Sequence, residues 1–245
     1  MNDQRAQEFH RHHTSQNHGD FLREFVYGGF DGGVTTFAVV AGATGAHFDS
    51  AVIIILGLAN LLADGFSMSV GSYLSVKSDR ERYLKYQRFE NWGVENIPEM
   101  ERDEIKEIYY NKGLRGKVLE KVVKVITADK ELWVEEMMKG EFDLIPEKKS
   151  PLAAGWYTFL SFLLIGFIPL VPFIFAFSGW AFLSSTFAIT CLVTALAFIV
   201  IGLIKAHINH TSKRWAVIET LALGAAAATL AYFTGSLLEN IVLNS

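Results

Sequence analysis

The sequence predicts an all-α integral membrane protein with five transmembrane helices and a helical cytosolic segment between the second and the third. Charge is segregated into blocks: residues 151–204 contain no Lys, Arg, Asp or Glu, whereas residues 79–149 are crowded with them. A water-soluble globule would instead mix charged and apolar residues along each helix. Five stretches are also long and apolar enough to cross a hydrocarbon core of about 30 Å, which needs about 20 residues.

The five predicted spans differ in character. The first two contain Gly, Thr, Ser, Asn and Asp among their apolar residues, whereas the last three are conventional transmembrane sequences. In chain order they are Phe25–Gly45, Ala51–Val76, Leu152–Phe175, Trp180–Ile204 and Trp215–Leu238.

The distribution of basic residues predicts the orientation. Of the 22 Lys and Arg residues, three precede the first span, 16 lie between the second and third spans, and three lie between the fourth and fifth. The other connections and the C-terminal end have none. Because cytosolic loops are enriched in Lys and Arg, the N-terminus and the large loop are predicted to be cytosolic and the C-terminus outside.

This topology divides the chain into four regions. They are a polar N-terminal tail (1–22), transmembrane helices 1 and 2 (23–78), a cytosolic helical domain (79–150) and transmembrane helices 3 to 5 (151–245). The tail is polar and contains four histidines, and we expect it to be disordered rather than to form a metal site. It also lacks the apolar core of a signal peptide.

The cytosolic segment carries its own helix signals. Asn96, Pro98 and Glu99 predict an N-cap, an early helical proline and a capping-box glutamate. Gly113 is expected to end that helix, and two further apolar stripes follow it. The charged continuation of span two, from Lys77 to about Phe89, is expected to project straight out of the membrane.

Composition excludes several classes of protein. The net charge of −4 offers no basic surface for nucleic acid, so no nucleic-acid partner is expected. A single cysteine, Cys191, excludes a disulfide framework and a four-cysteine zinc site. His-Glu-x-x-His and Gly-x-Ser-x-Gly motifs do not occur, so we do not expect an enzyme.

Polar residues within the first two spans are the strongest functional candidates, because ionisable groups in a bilayer are costly. Span one contains Asp31 among glycines, and span two contains Asn60, Asp64 and Met68, spaced four apart on one helical face. Two carboxylates, an amide oxygen and a thioether suit a borderline divalent cation. The alternative is that both acids merely join helices through hydrogen bonds and that Met68 is a packing residue.

A second candidate cluster lies in the cytosolic segment. Glu104 and Glu107 share a helical face, as do Met138 and Glu141, and Glu95, Glu99 and Glu101 are nearby in sequence. Composition alone favours ordinary solvated glutamates here.

Three motifs resemble those of the vacuolar iron transporter family. The run Asp31-Gly32-Gly33-Val34-Thr35-Thr36-Phe37-Ala38 resembles the first-helix signature of that family, and residues 57–68 with 71–78 resemble the second. Residues 166–172, Gly-Phe-Ile-Pro-Leu-Val-Pro, are similar to its third-helix Pro-x-x-Pro segment. The resemblance covers about residues 20–240 and is of the bacterial type, without a ferritin-like domain.

The resemblance implies a five-helix homodimer that exports Fe²⁺ or Mn²⁺ from the cytosol in exchange for protons, along a path at the dimer interface. Asp31 and Met68 match path residues. A glutamate in plant members is replaced here by Asn60, and Asp64 one turn later is expected to supply the missing charge.

The family also implies a metal-binding cytosolic domain. Glu104, Glu107, Met137, Met138 and Glu141 match its ligand pattern. In the upstream glutamate pair of that pattern Glu95 fits, but Trp92 stands where its partner is expected.

The expected partners are divalent metal ions, protons, the lipid bilayer and a second copy of the chain, with the metal as cargo and no prosthetic group. The expected location is a bacterial inner membrane. Two alternatives stay open: a membrane protein that binds or senses metal without transporting it, and a passive divalent-cation channel.

Overall fold

The computed structural model describes residues 19–146, 149–179 and 185–242, and the described secondary structure is helical throughout. The polar tail up to residue 18 and the first residues of the predicted fourth span, 180–184, lie outside the described residues. The described elements are α1 (Gly19–Gly45), α2 (Ser50–Asn96), α3 (Pro98–Asn111), α4 (Gly116–Ile126), α5 (Lys130–Gly140), α6 (Pro151–Gly166), a 3₁₀ turn (Ile168–Leu170), α7 (Val171–Phe177), α8 (Thr186–Ile208) and α9 (Lys213–Val242).

Four helical segments of the described chain are long and apolar enough to cross a membrane. They are α2, the segment Pro151–Phe177, α8 and the segment Lys213–Ile241. The prediction of a membrane-embedded, all-helical chain is therefore confirmed at this level. The first predicted span does form a helix, α1, but its glycines, threonines and Asp31 make it less apolar than the other four.

Residue contacts divide the chain into two compact units, Met1–Tyr73 with Ser150–Ser245, and Leu74–Lys149. Helix α2 contributes to both. Its apolar part ends at Val76, and its charged continuation stays helical to Asn96, beyond the predicted end near Phe89.

In the first unit, α1 packs against α6, α8 and α9. Glycines permit these close contacts: a Cβ at Gly32 would lie 2.9 Å from Cα of Phe162 on α6, and a Cβ at Gly33 would lie 2.8 Å from the Phe198 ring on α8. Near the other end of α1, Gly42 faces the backbone of Ala231 on α9. Small residues thus let α1 approach three apolar helices, as is common in membrane bundles.

The third predicted span is broken near its middle. α6 ends at Gly166, and the chain then makes the 3₁₀ turn before α7 resumes at Val171. Pro169 and Pro172 have no N–H to continue the α-helical hydrogen bonding, which explains the break. The 3₁₀ turn packs against α1 and α8.

The second unit has a core of its own, with α3, α4 and α5 in mutual contact. Ile105, Trp133, Met137 and Met138 are at most 4% exposed within it. Gly113 has φ +101°, a left-handed conformation that suits glycine, and follows the end of α3 as predicted.

The predicted capping box at α3 is wrong. Asn96 belongs to the end of α2, where its side-chain amide donates to the carbonyl of Trp92. Ile97 takes the N-cap position and makes no side-chain cap. Pro98 does occupy the first turn, as predicted. Because α2 continues to residue 96, only Ile97 separates the two helices, and Asn96 lies too far back to cap the second.

Candidate functional site

The side chains of Asp31 and Asp64 interact electrostatically within the first unit. Both carboxylates are half-buried, on α1 and α2 respectively, and their charges interact. Neither forms an ion pair with a basic side chain among the described residues. Two like charges in a low-dielectric region are unfavourable unless a proton or a cation is shared between them.

The local sequence places both acids. Gly28 and Gly32 lie against Thr158, Ser161 and Phe162 of α6, which brings the segment of α1 around Asp31 close to α6. On α2, Gly65 lies against the Phe162 ring, beside Asp64. Both acid-bearing segments therefore pack on the same part of α6.

Asn60 and Met68 complete the polar stripe of α2. The amide Nδ2 of Asn60 is buried and makes no hydrogen bond within the described chain. Met68 is 36% exposed. The structure thus places three polar side chains of the predicted path at half-buried positions and leaves the thioether at the edge of the protomer.

Another face of α2, on the opposite side of the helix from this stripe, is apolar and uncovered in the single protomer. Ile55, Leu62 and Phe66 are 66%, 56% and 65% exposed, and Leu74 is 52% exposed. This surface continues along the helix that carries Asp64 and Met68.

The second unit contains a buried carboxyl cluster that sequence reasoning missed in part. Glu90 on α2 is 1% exposed and Glu101 on α3 is 4% exposed. The two carboxyls share a hydrogen bond, and Oε2 of each is buried without a hydrogen-bond partner in the described chain. Gly93 makes room for the pair, because a Cβ at that position would overlap Oε1 of Glu101.

Two of the predicted residues, Glu104 and Glu141, interact with this pair. Burial, and then the charges of Glu101, Glu141 and Glu104, raise the pKa of Glu90 to about 8. Burial and the charge of Glu104 raise the pKa values of both Glu101 and Glu141. Four carboxyl groups from α2, α3 and the end of α5 therefore share one electrostatic environment.

The remaining predicted cytosolic residues lie elsewhere or play a packing role. Glu95 is exposed and pairs with Lys130, and Glu107 is exposed on α3. Met137 and Met138 are fully buried in the core of the unit.

A sequence signal for the missed pair does exist. Glu90 occupies a core-facing position between Tyr86 and Val94, and Glu101 lies one turn before the buried Ile105. A glutamate within an apolar stripe is unusual, because carboxylates are almost never buried without a partner.

Neither group of residues is a complete metal site by itself. In the part of the chain that the structure describes, no three His, Cys, Asp or Glu side chains converge closely enough to hold a metal ion. The membrane group has two carboxylates plus amide and thioether donors, and the second group has four interacting carboxyls.

Comparison with known proteins identifies the family. The VIT family model matches residues 22–236. The chain is 32% identical to a vacuolar iron transporter of Toxoplasma gondii over 239 residues, covering 95% of this chain and 79% of the relative. It is 31% identical to vacuolar iron transporter 1 of Tulipa gesneriana, covering 91% and 89% of the two chains. It is also 27% identical to vacuolar iron transporter 1 of Arabidopsis thaliana, covering 94% and 91%. The chain therefore belongs to the VIT family.

Proposed function

We propose that this chain exports Fe²⁺, Mn²⁺ or both from the cytosol in exchange for protons. Membership of the VIT family makes it a transporter rather than an enzyme, with the metal as its cargo and no prosthetic group. The observation that carries the proposal is the pair Asp31 and Asp64, two interacting carboxylates without a basic partner among the described residues. A passing divalent cation would offset their repulsion.

The path uses Asp31, Asn60, Asp64 and Met68. Oxygen donors with a single thioether bind a borderline cation weakly enough to release it. When the outward side is acidic, a proton would replace the metal on a carboxylate and free the cation. The buried Asn60 amide supports a hydrated path, because water would satisfy the donor that has no partner in the described protein.

The transporter is proposed to have five spans, with α1 as the first. α1 has 27 residues and is about 40 Å long, which is enough to cross a bilayer. Its packing against α6, α8 and α9 supports this role, because a helix surrounded by other spans needs less apolar surface. The N-terminus and the segment between α2 and α6 would then be cytosolic, as the positive-inside rule predicts.

The working unit is proposed to be a homodimer with the path at its interface. The uncovered apolar face of α2, which includes Leu62 and Phe66, supports a second copy at this surface.

In the second unit, Glu90, Glu101, Glu104 and Glu141 are proposed to collect cytosolic metal. Their support is the electrostatic interaction among the four carboxyls, the burial of Glu90 and Glu101, and the two oxygens without hydrogen-bond partners in the described chain. Met137 and Met138 are proposed as nearby soft donors. The exposed Glu95 and Glu107 would act as an electrostatic attraction for cations rather than as ligands. We retain a bacterial inner membrane as the proposed location.

Reconstitution tests the transport proposal. In the reconstituted proteoliposomes the lumen is acidic and the cytosolic side of the protein faces the outer medium. We expect them to accumulate Mn²⁺ or Fe²⁺ in the lumen. We expect Asp31→Asn to abolish this uptake, because one of the two cation-binding carboxylates is removed. Asp49→Asn, which changes an exposed acid in the connection between α1 and α2, should behave like the wild type.

The alternatives give different outcomes in the same assay. Flux that ignores the pH gradient would indicate a passive divalent-cation channel. Metal binding without any flux would indicate a non-transporting metal-binding or sensing protein.

A further inference from the structure

A cleft opens beside the carboxyl cluster of the second unit. It has a volume of about 640 Å³ and is lined by Lys85, Tyr86, Arg88 and Phe89 of α2 together with Glu141 and Phe142. Glu141 belongs to both features, because it lines the cleft and also interacts with Glu90, Glu101 and Glu104. The cleft and the carboxyl cluster therefore meet at Glu141.

The cleft carries two cations that the protein does not neutralise. Lys85 and Arg88 are exposed, and neither forms an ion pair with a carboxylate among the described residues. Arg88 donates through Nε to the carbonyl of Leu84, which leaves the rest of its guanidinium free to meet a ligand. The two cations are three residues apart on one helix, so they lie on the same face.

The wall beside these cations is aromatic. The Tyr86 and Phe142 rings are 4.5 Å apart, and Lys85 lies 5.7 Å from the centre of the Tyr86 ring. Cations beside an aromatic surface suit a compact organic anion.

The neighbouring carboxyl cluster needs further donors. Ions such as Mn²⁺ prefer six oxygen ligands, and in the described chain no three acidic, histidine or cysteine side chains converge on one point. An external anion in the cleft would supply the missing oxygens next to Glu141.

We propose that this cleft binds a small di- or tricarboxylate that shares the metal ion with Glu141. One or two carboxylates of the anion coordinate the metal, and a further carboxylate pairs with Lys85 and Arg88. The form of metal delivered to the protein is then an organic-acid chelate rather than the hydrated ion alone. This inference rests on the proposed role of the cluster in collecting metal.

Citrate and Mn²⁺ test the proposal on the full-length protein in nanodiscs of neutral lipid. Calorimetry would compare binding of Mn²⁺ alone with binding of Mn²⁺ premixed with citrate. We expect the double substitution Lys85→Gln with Arg88→Gln to weaken binding of the Mn²⁺–citrate complex about tenfold, the loss of roughly one charge-assisted contact. Binding of Mn²⁺ alone should change less than about twofold.

A matched control removes two cations elsewhere in the same unit. Lys121→Gln with Lys124→Gln changes exposed lysines on α4, away from this cleft, and should bind both forms like the wild type. If both double variants lost affinity for the Mn²⁺–citrate complex equally, the proposal would be overturned. The effect would then come from the net charge of the unit rather than from the cleft.

Two results separate this inference from the proposed function. In the first result, Glu90→Gln weakens binding of Mn²⁺ alone, and citrate lowers Mn²⁺ binding equally in the wild type and the Lys85/Arg88 variant. The cleft proposal then fails and the collecting cluster stands. In the second result, the Lys85/Arg88 variant selectively loses binding of the Mn²⁺–citrate complex, and Glu90→Gln leaves binding of Mn²⁺ alone intact. The cleft proposal then stands and the assignment of Glu90 fails.

Discussion

Glu90 is the residue whose environment departs most from what its sequence context indicates. It lies in a charged segment, yet it is 1% exposed and hydrogen-bonds to another buried glutamate. Burial and the neighbouring carboxyls raise the pKa of Glu90 to about 8, so that near neutral pH its protonated carboxyl can donate a hydrogen bond to Glu101. A divalent cation could replace that proton, so the carboxyl pair can hold either a proton or a metal ion.

This arrangement predicts a pH-dependent stability. The pKa of Glu90 is raised from 4.5 to about 8, so the folded state binds its proton more tightly than the unfolded state. The stability contributed is complete below the unfolded value and is lost as the pH rises through about 8. Metal-free protein should therefore have a lower Tm at pH 9 than at about pH 6, and Glu90→Gln should flatten this dependence.

Thermal unfolding in detergent, followed by intrinsic fluorescence, provides the measurement. Glu95→Gln, which changes an exposed glutamate on the same helix, should retain the wild-type pH profile. An unchanged profile in Glu90→Gln would show that its carboxyl is ionised in the folded protein.

The sequence predicts the relative placement of side chains where their spacing along one helix determines it. The four-residue spacing of Asn60, Asp64 and Met68 places them on one side of α2. The glycines near Asp31 do allow close packing, but of α1 on α6 and not on α2. The sequence does not single out Glu90, and it indicates Glu101 only as a neighbour of the candidate cluster, because glutamates are abundant in that segment. Whether one of them is buried depends on how three helices meet, which local sequence does not encode.

At the scale of elements, helix content was predictable and helix ends were less so. Apolar runs and Gly113 indicated the helices and one end correctly, but the α2–α3 boundary was misplaced because a plausible cap, Asn96, lies inside α2. The break in the third span follows from Pro169, although the sequence alone does not show where the helix resumes.

Helix packing gives an element-scale prediction. Gly32→Ala should destabilise the protein by about 1–3 kcal/mol, because its Cβ would lie 2.9 Å from Cα of Phe162 and backbone cannot yield easily. Gly42→Ala should cost less, since its nearest neighbour, the carbonyl oxygen of Ala231, is 3.3 Å away.

Size-exclusion chromatography after heating would rank the two glycine variants. A Gly32→Ala protein as heat-stable as the wild type would mean that α1 does not pack on α6 as closely as described.

At the scale of the whole molecule, charge segregation was the most informative feature of the sequence. It separated an apolar part from a charged part, and the structure divides the chain into units at nearly the same residues, 74 and 149. Local hydropathy could not establish the status of α1, because a helix that packs against three others carries glycines and an acid instead of apolar bulk.

The central claim is that carboxylates of the first two helices hold the cargo inside the membrane. The most direct measurement is anomalous diffraction from crystals of the full-length protein grown with Mn²⁺. We predict an anomalous peak within coordination distance of Asp31 and Asp64, and its loss in crystals of Asp31→Asn. Mn²⁺ bound only in the unit Leu74–Lys149, with Asp31 and Asp64 directed toward lipid, would contradict the account.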